Sequence, residues 1–201
     1  MKRFVLAIGA CCALLCSFYA VAGEPLRTVG NLDPGAAQPN SRAFGKSLNE
    51  WMESYIRWLE DGADPAARSK NVAFLPIIGV SPFEVEVEPG TALVLPIATW
   101  LGESGDEPLP DEWWGDRDHI FGDVYLDGQP IAVPNEDYYV GPSHLVPSAF
   151  GVYTYYQALV VVIKPLPPGE HVVELHSEFV DFGAAFDNVW NITVRQKSKA
   201  K

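Results

Sequence analysis

Residues 103–127 carry the densest chemistry in this sequence. Nine carboxylates (Glu103, Asp106, Glu107, Asp111, Glu112, Asp116, Asp118, Asp123 and Asp127) surround Trp113, Trp114 and His119, and Arg117 is the one base among them. Long polar stretches between apolar segments are where binding and catalytic groups concentrate. Asp116-x-Asp118 sets two carboxylates two residues apart, with Asp111, Glu112 and Asp123 nearby. Several oxygens close together suit a hard cation such as calcium. The spacing is not that of an Asp-x-Asp-x-Asp-Gly loop with a distal Glu. Asp116 and Asp118 are therefore the metal candidates, with calcium the one cofactor to weigh against having none. Trp113 and Trp114 are the ligand-binding candidates, because the apolar face of a sugar ring complements an aromatic face. Consecutive residues of an extended segment point to opposite sides. One ring is expected to anchor in the fold and the other to face outward. His119, flanked by acids, is the catalytic candidate as a proton-transfer group.

A second group lies at His171-Val-Val-Glu174-Leu-His176-Ser-Glu178. A strand period puts Glu174, His176 and Glu178 on one face and His171 on the other. Such a row could bind metal or move protons, but it reads more simply as the wet face of an edge strand. His171 follows Pro167-Pro168-Gly169 as a turn-packing residue, and His144 sits in a Pro-rich loop after Asp137, Tyr138 and Tyr139. Asn191-Ile-Thr193 is a glycosylation sequon, though strand alternation alone accounts for it. The sequence has no Gly-x-Ser-x-Gly elbow, no His-Glu-x-x-His and no phosphate-binding Gly loop. Carboxylates for glycoside cleavage are so plentiful that choosing a pair would be arbitrary.

The N-terminus reads as an export signal. Lys2 and Arg3 precede an apolar run from Phe4 to Tyr19, and Ala20-Val21-Ala22 is a small-x-small cleavage pattern ahead of Gly23. Cys11, Cys12 and Cys16 all lie in this segment. A chain cut after residue 22 then has no disulfide, cysteine nucleophile or thiolate metal ligand. Cleavage removes two of 14 basic residues and leaves 12 against 26 acidic ones, a formal charge of −14. Between Glu84 and Asp187 there are 19 acids and only Arg117 and Lys164 as bases. That field repels phosphate backbones and anionic membranes, so nucleic acid is not an expected partner. No stable membrane insertion is expected after cleavage.

The elements that must position these groups follow from periodicity. Residues 23–43 read as an extended, poorly ordered lead-in. Ser47-x-x-Glu50 is a capping box at a helix start. Leu48, Trp51, Met52, Tyr55 and Leu59 then form one apolar face, with Ile56 and Trp58 on its flanks, and Gly62 and Pro65 stop the helix. After residue 70 the period becomes two. Phe83, Val85 and Val87 alternate with Glu84, Glu86 and Glu88. Ala92 to Ile97 is more continuously apolar. Val124 to Val133 is a hairpin around Asp127-Gly128, and strands follow at Tyr155 to Ile163, His171 to Phe179 and Val189 to Arg195. The expected fold is mainly β: an antiparallel β-sandwich, jelly-roll or Ig-like, with one N-terminal amphipathic helix packed on it. The domain is placed at residues 44–195, with a basic tail at 196–201.

Three motifs in order, Val87-Glu-Pro-Gly-Thr-Ala-Leu-Val-Leu-Pro-Ile97, Tyr125-Leu-Asp-Gly-Gln-Pro-Ile131 and Lys164-Pro-Leu-Pro-Pro-Gly-Glu-His171, follow the Glu-Trp-x-x-x-Tyr-x-x-Trp helix. Over residues 44–195 the chain resembles an uncharacterised family of secreted bacterial and fungal proteins. It lacks the cysteines of some members' first strand pair. The resemblance implies export and a β-sandwich, and it carries over no activity or catalytic residues. The reading at this level is a secreted or periplasmic, non-enzymatic binding or surface-interaction module, whose partner is a carbohydrate or another envelope component. The alternatives are a secreted polysaccharide hydrolase or lyase using carboxylates and His119, and a structural envelope protein.

Overall fold

The structure is a computed structural model and describes residues 35–64, 71–77, 79, 81–132, 136–145 and 153–196. The export segment, Pro65, Val133 and the lysines of the tail lie outside the described residues.

The helix, α1, runs Leu48–Glu60. Its capping box is complete: Glu50 N–H donates to Ser47 Oγ at 3.3 Å, and Ser47 N–H donates to the Glu50 carboxylate at 2.7 Å. That backbone donor, with the Ser47 hydroxyl and Arg42, holds the Glu50 carboxyl down to about 2. Gly62 ends the helix at φ +94, a conformation that costs glycine no Cβ clash. Trp51, Met52, Tyr55, Ile56 and Trp58 are buried.

Among the described residues nine strands follow: β1 Val72–Phe74, β2 Phe83–Val87, β3 Ala92–Glu103, β4 Ile120–Leu126, β5 Gln129–Ala132, β6 Tyr139–His144, β7 Tyr153–Ile163, β8 Gly169–Phe179 and β9 Ala184–Val194. They form a four-stranded sheet, β1-β3-β7-β6, and a five-stranded sheet, β2-β9-β8-β4-β5. α1 packs against β3, β6 and β7, while β3 touches β4 and β8 of the other sheet. β3 and β7 are thus covered on both faces, and their central residues are buried without alternation. At one crossing Gly122 of β4 lies under Ile97 of β3, where any side chain at 122 would collide with the isoleucine.

Both sheets are mixed, which corrects the expected antiparallel arrangement. β1 runs parallel to β3, and β2 runs parallel to β9. Alternation reports which face is buried and is blind to strand direction, which depends on the end at which the chain re-enters the sheet. The Asp127-Gly128 hairpin is present, with φ +51 and +73 at its two central residues. Residues 35–43 of the expected lead-in are described and packed, with Ala36 buried and paired with Ile163 at the end of β7, while 23–34 lie outside the described residues. No helix among the described residues is long and apolar enough to cross a membrane.

Candidate functional site

The segment between β3 and β4 crosses one end of the two sheets. Pro108 and Pro110 stiffen it, and Asp111–Trp113 make one 3-10 turn. The chain then straightens, and Trp114 bridges to Ile120 while Gly115 N–H donates to Ile120 C=O at 2.9 Å. This break in local geometry sends the two tryptophans different ways. Trp114 is 1% exposed. It lies against Tyr139 at 5.3 Å and meets Phe179 edge-on at 6.2 Å. Trp113 stays half-buried and stacks on His119, with ring centres 4.7 Å apart and planes 7° from parallel.

His119 Nδ1 donates to Asp181 Oδ2 at 2.7 Å, from just before β4 to the turn after β8. The Asp181 hydrogen bond raises the His119 pKa, burial opposes it, and the charges of Asp181, Asp116 and Asp118 add to the rise. The Val180 N–H donating to His119 C=O at 2.8 Å fixes the same junction. Trp113 therefore rests on an imidazole whose plane and charge are both set by its neighbours.

The acids divide into groups. Asp111, Glu112 and Asp116 line an open hollow of about 560 Å³ with Trp114, Gly115 and Glu136. Glu136, from the turn ahead of β6, was not among the residues picked out from the sequence. Asp118 is outside this lining, and its N–H donates to Asp116 Oδ1 at 2.9 Å in a local turn. Among the described residues, no three His, Asp or Glu side chains are gathered so as to hold a metal ion. Arg117 pairs with Asp123 and lies 4.8 Å over the Phe121 ring, on the outer face of β4. Asp127 accepts from Val172 N–H at 2.9 Å and from His171 Nδ1 at 2.8 Å, which makes it a hairpin clasp. Glu103, Asp106 and Glu107 are exposed on the approach to the segment.

His171 is a turn-packing residue, with its second ring nitrogen 3.0 Å from Pro167 C=O. Burial lowers its pKa, but the bonds to Asp127 and Pro167 outweigh that, and the net shift is upward. The Glu174-His176-Glu178 row does face outward, yet β8 is the middle strand of its sheet, which corrects the edge-strand expectation. His176 Nδ1 donates to Asp187 on β9 at 2.6 Å. His144 ends a strand, β6, and does not sit in a loop.

No family model matches the chain, and no curated protein matches it. Four residues of the site, Glu136, Asp181, Tyr139 and Gln157, were not read as site residues from the sequence, where Tyr139 was named only as a neighbour of His144. Gln157 had a signal: it is the one polar side chain in the apolar run from Tyr155 to Ile163 apart from the tyrosine hydroxyls. Chemically, the segment offers a half-exposed aromatic ring, Trp113, and a hollow rich in hydrogen-bond acceptors whose aromatic wall is Trp114. A polyhydroxylated ring calls for both, an apolar face to stack on and carboxylates for its hydroxyls.

Proposed function

We propose that the chain is a secreted or periplasmic binding module, without catalytic activity of its own, that holds a carbohydrate at the Trp113 platform and the neighbouring acidic hollow. The two sheets are read as the faces of a β-sandwich, with the site at one end. The observation that carries the reading is the Trp113–His119 stack, 4.7 Å apart and nearly parallel, with the ring half-exposed, next in sequence to residues that line the acidic hollow. A tryptophan backed by a second flat ring is pre-oriented, so less freedom is lost when a sugar stacks on it. The export signal and the motifs resembling secreted proteins support the location.

The test is retention on a panel of insoluble and soluble polysaccharides. Trp113→Ala is expected to abolish retention while the melting temperature holds. Trp114→Ala is expected to lower stability by about 3–5 kcal/mol as a buried ring. Wild-type retention by Trp113→Ala ends the carbohydrate reading at this platform. Exported protein should begin at Gly23 or within about two residues of it, given the small-x-small pattern, and N-terminal sequencing checks this.

The His119–Asp181 hydrogen bond favours a second reading, a polysaccharide hydrolase or lyase in which the oriented imidazole moves a proton. In that case His119→Ala removes turnover and leaves substrate affinity largely in place, because a proton-transfer group contributes mainly at the transition state. A reducing-end assay on the same panel separates the two.

A further inference from the structure

Gln157 is fully buried in the middle of β7, where a leucine or valine would be expected. A buried amide without partners costs about 1–3 kcal/mol, and this one has its partners outside its own strand. Leu109 N–H donates to Gln157 Oε1 at 2.8 Å, and Gln157 Nε2 donates back to Leu109 C=O at 2.8 Å. The same amide donates to the Tyr139 hydroxyl at 2.8 Å. An amide nitrogen can only donate. The Tyr139 oxygen must therefore accept, and its own proton is directed to the next acceptor. That acceptor is Asp111 Oδ1 at 2.7 Å. Burial above all, with the Asp111 charge beside it, holds the Tyr139 phenol well above its ordinary value despite the pull of the Gln157 donor. The phenol thus stays a donor throughout the neutral range. Its ring meanwhile lies 5.3 Å from Trp114, the aromatic residue lining the hollow.

The hydrogen bonds form one directed line, Gln157 to Tyr139 to Asp111, with Leu109 gripped through both of its backbone groups two residues upstream. We infer that Tyr139 and Gln157 are positioning residues of the hollow: they fix the Asp111 carboxylate with one oxygen engaged and the other presented to a ligand donor, which directs the site to sugars bearing amino or vicinal hydroxyl groups and against sugars bearing carboxylates or sulfates. The ligand half of this inference rests on the carbohydrate reading above. The polarity follows from the lining, which contains four carboxylates and no base.

Two measurements test it. In the first, amide hydrogen exchange across residues 109–116 is compared in wild type, Gln157→Leu and Tyr139→Phe. Both variants are expected to speed exchange in this segment ~10-fold or more, leaving β8 and β9 as they were. Unchanged exchange in both variants overturns the inference whatever the ligand. In the second, neutral gluco-oligosaccharides, chitosan oligosaccharides and uronate oligosaccharides are titrated. Wild type should take the first two and refuse the third. Tyr139→Phe keeps the ring and loses only the hydroxyl; it should bind ~10-fold more weakly, the cost of releasing one hydrogen bond to a charged group, and melt somewhat lower because one buried Gln157 N–H loses its acceptor. A lower melting temperature with unchanged affinity makes Tyr139 a purely structural residue, and preference for uronates reverses the expected polarity. Either result overturns the inference. If wild type binds no probe, the carbohydrate reading fails by itself, and the exchange measurement alone decides whether the relay holds the segment.

Discussion

Two aromatic clusters with similar composition meet different fates in this molecule. In the first, Trp51, Tyr55 and Trp58 of α1 close around Phe74 of β1 with ring centres 5.4 to 6.4 Å apart. Each polar atom is used: Trp51 Nε1 donates to Ala43 C=O at 2.9 Å, Trp58 Nε1 to Asp64 C=O at 2.7 Å and Tyr55 OH to Leu75 C=O at 2.9 Å. In the second, Trp114 Nε1 is buried without a hydrogen-bond partner among the described residues, and Trp113 leans half-exposed on a histidine hydrogen-bonded to Asp181. The difference lies in how the polar atoms are used and not in residue type: the first cluster has its donors spent on backbone, and the second keeps ring surface exposed and one indole N–H unpaired.

The sharpest way to break this contrast is Trp51→Ala. As a core ring it should cost about 3–5 kcal/mol in chemical denaturation, through lost burial and the cavity left behind. A neutral result would make the helical cluster as available as the loop pair. Ser47→Ala comes next. It removes one half of the capping box and should cost ~1 kcal/mol, read from the denaturation midpoint at unchanged slope.

A smaller effect belongs to His119. Its pKa is raised in the folded state by Asp181. Its contribution to stability is therefore fully present below the unfolded value of about 6.5 and is lost as pH rises through the higher folded value. The melting temperature of wild type should fall over that interval relative to His119→Gln, and parallel pH profiles would show the Asp181 contact to be inert. The single variant isolates His119, because His171 is shifted in the same direction. The smallest expected effect is that of calcium. Asp116 and Asp118 are not joined by a third ligating side chain among the described residues. A millimolar calcium titration should leave the melting temperature flat, and a rise that Asp116→Asn removes would restore the metal reading.

Most of the helix was legible because its signals are local. Ser47, Glu50 and Gly62 act within a turn of where they stand. Strands with clean alternation, such as Phe83 to Val87, were legible for the same reason. β6 was not, because Gly141 and Pro142 interrupt the alternation, and β1 is only three residues long. Strand direction and the central place of β8 depend on contacts made far along the chain, which no local period encodes. At the site, the opposite facing of Trp113 and Trp114 could be read from adjacency. The Asp181 partner of His119 lies 62 residues away and could not.

The parallel pairing of β2 with β9 has a consequence in time as well as in space. Phe83 meets Trp190 and Glu84 meets Asn191, partners 107 residues apart, and Arg195 then clips Glu86 and Glu88. β2 therefore waits for the last strand of the chain, and closing so long a loop carries an entropic cost before any contact rewards it. Refolding followed by stopped flow should accordingly be slow for a chain of this size. A fold that cannot close until its final segment arrives stays open, whatever the chain's destination, until synthesis has reached β9.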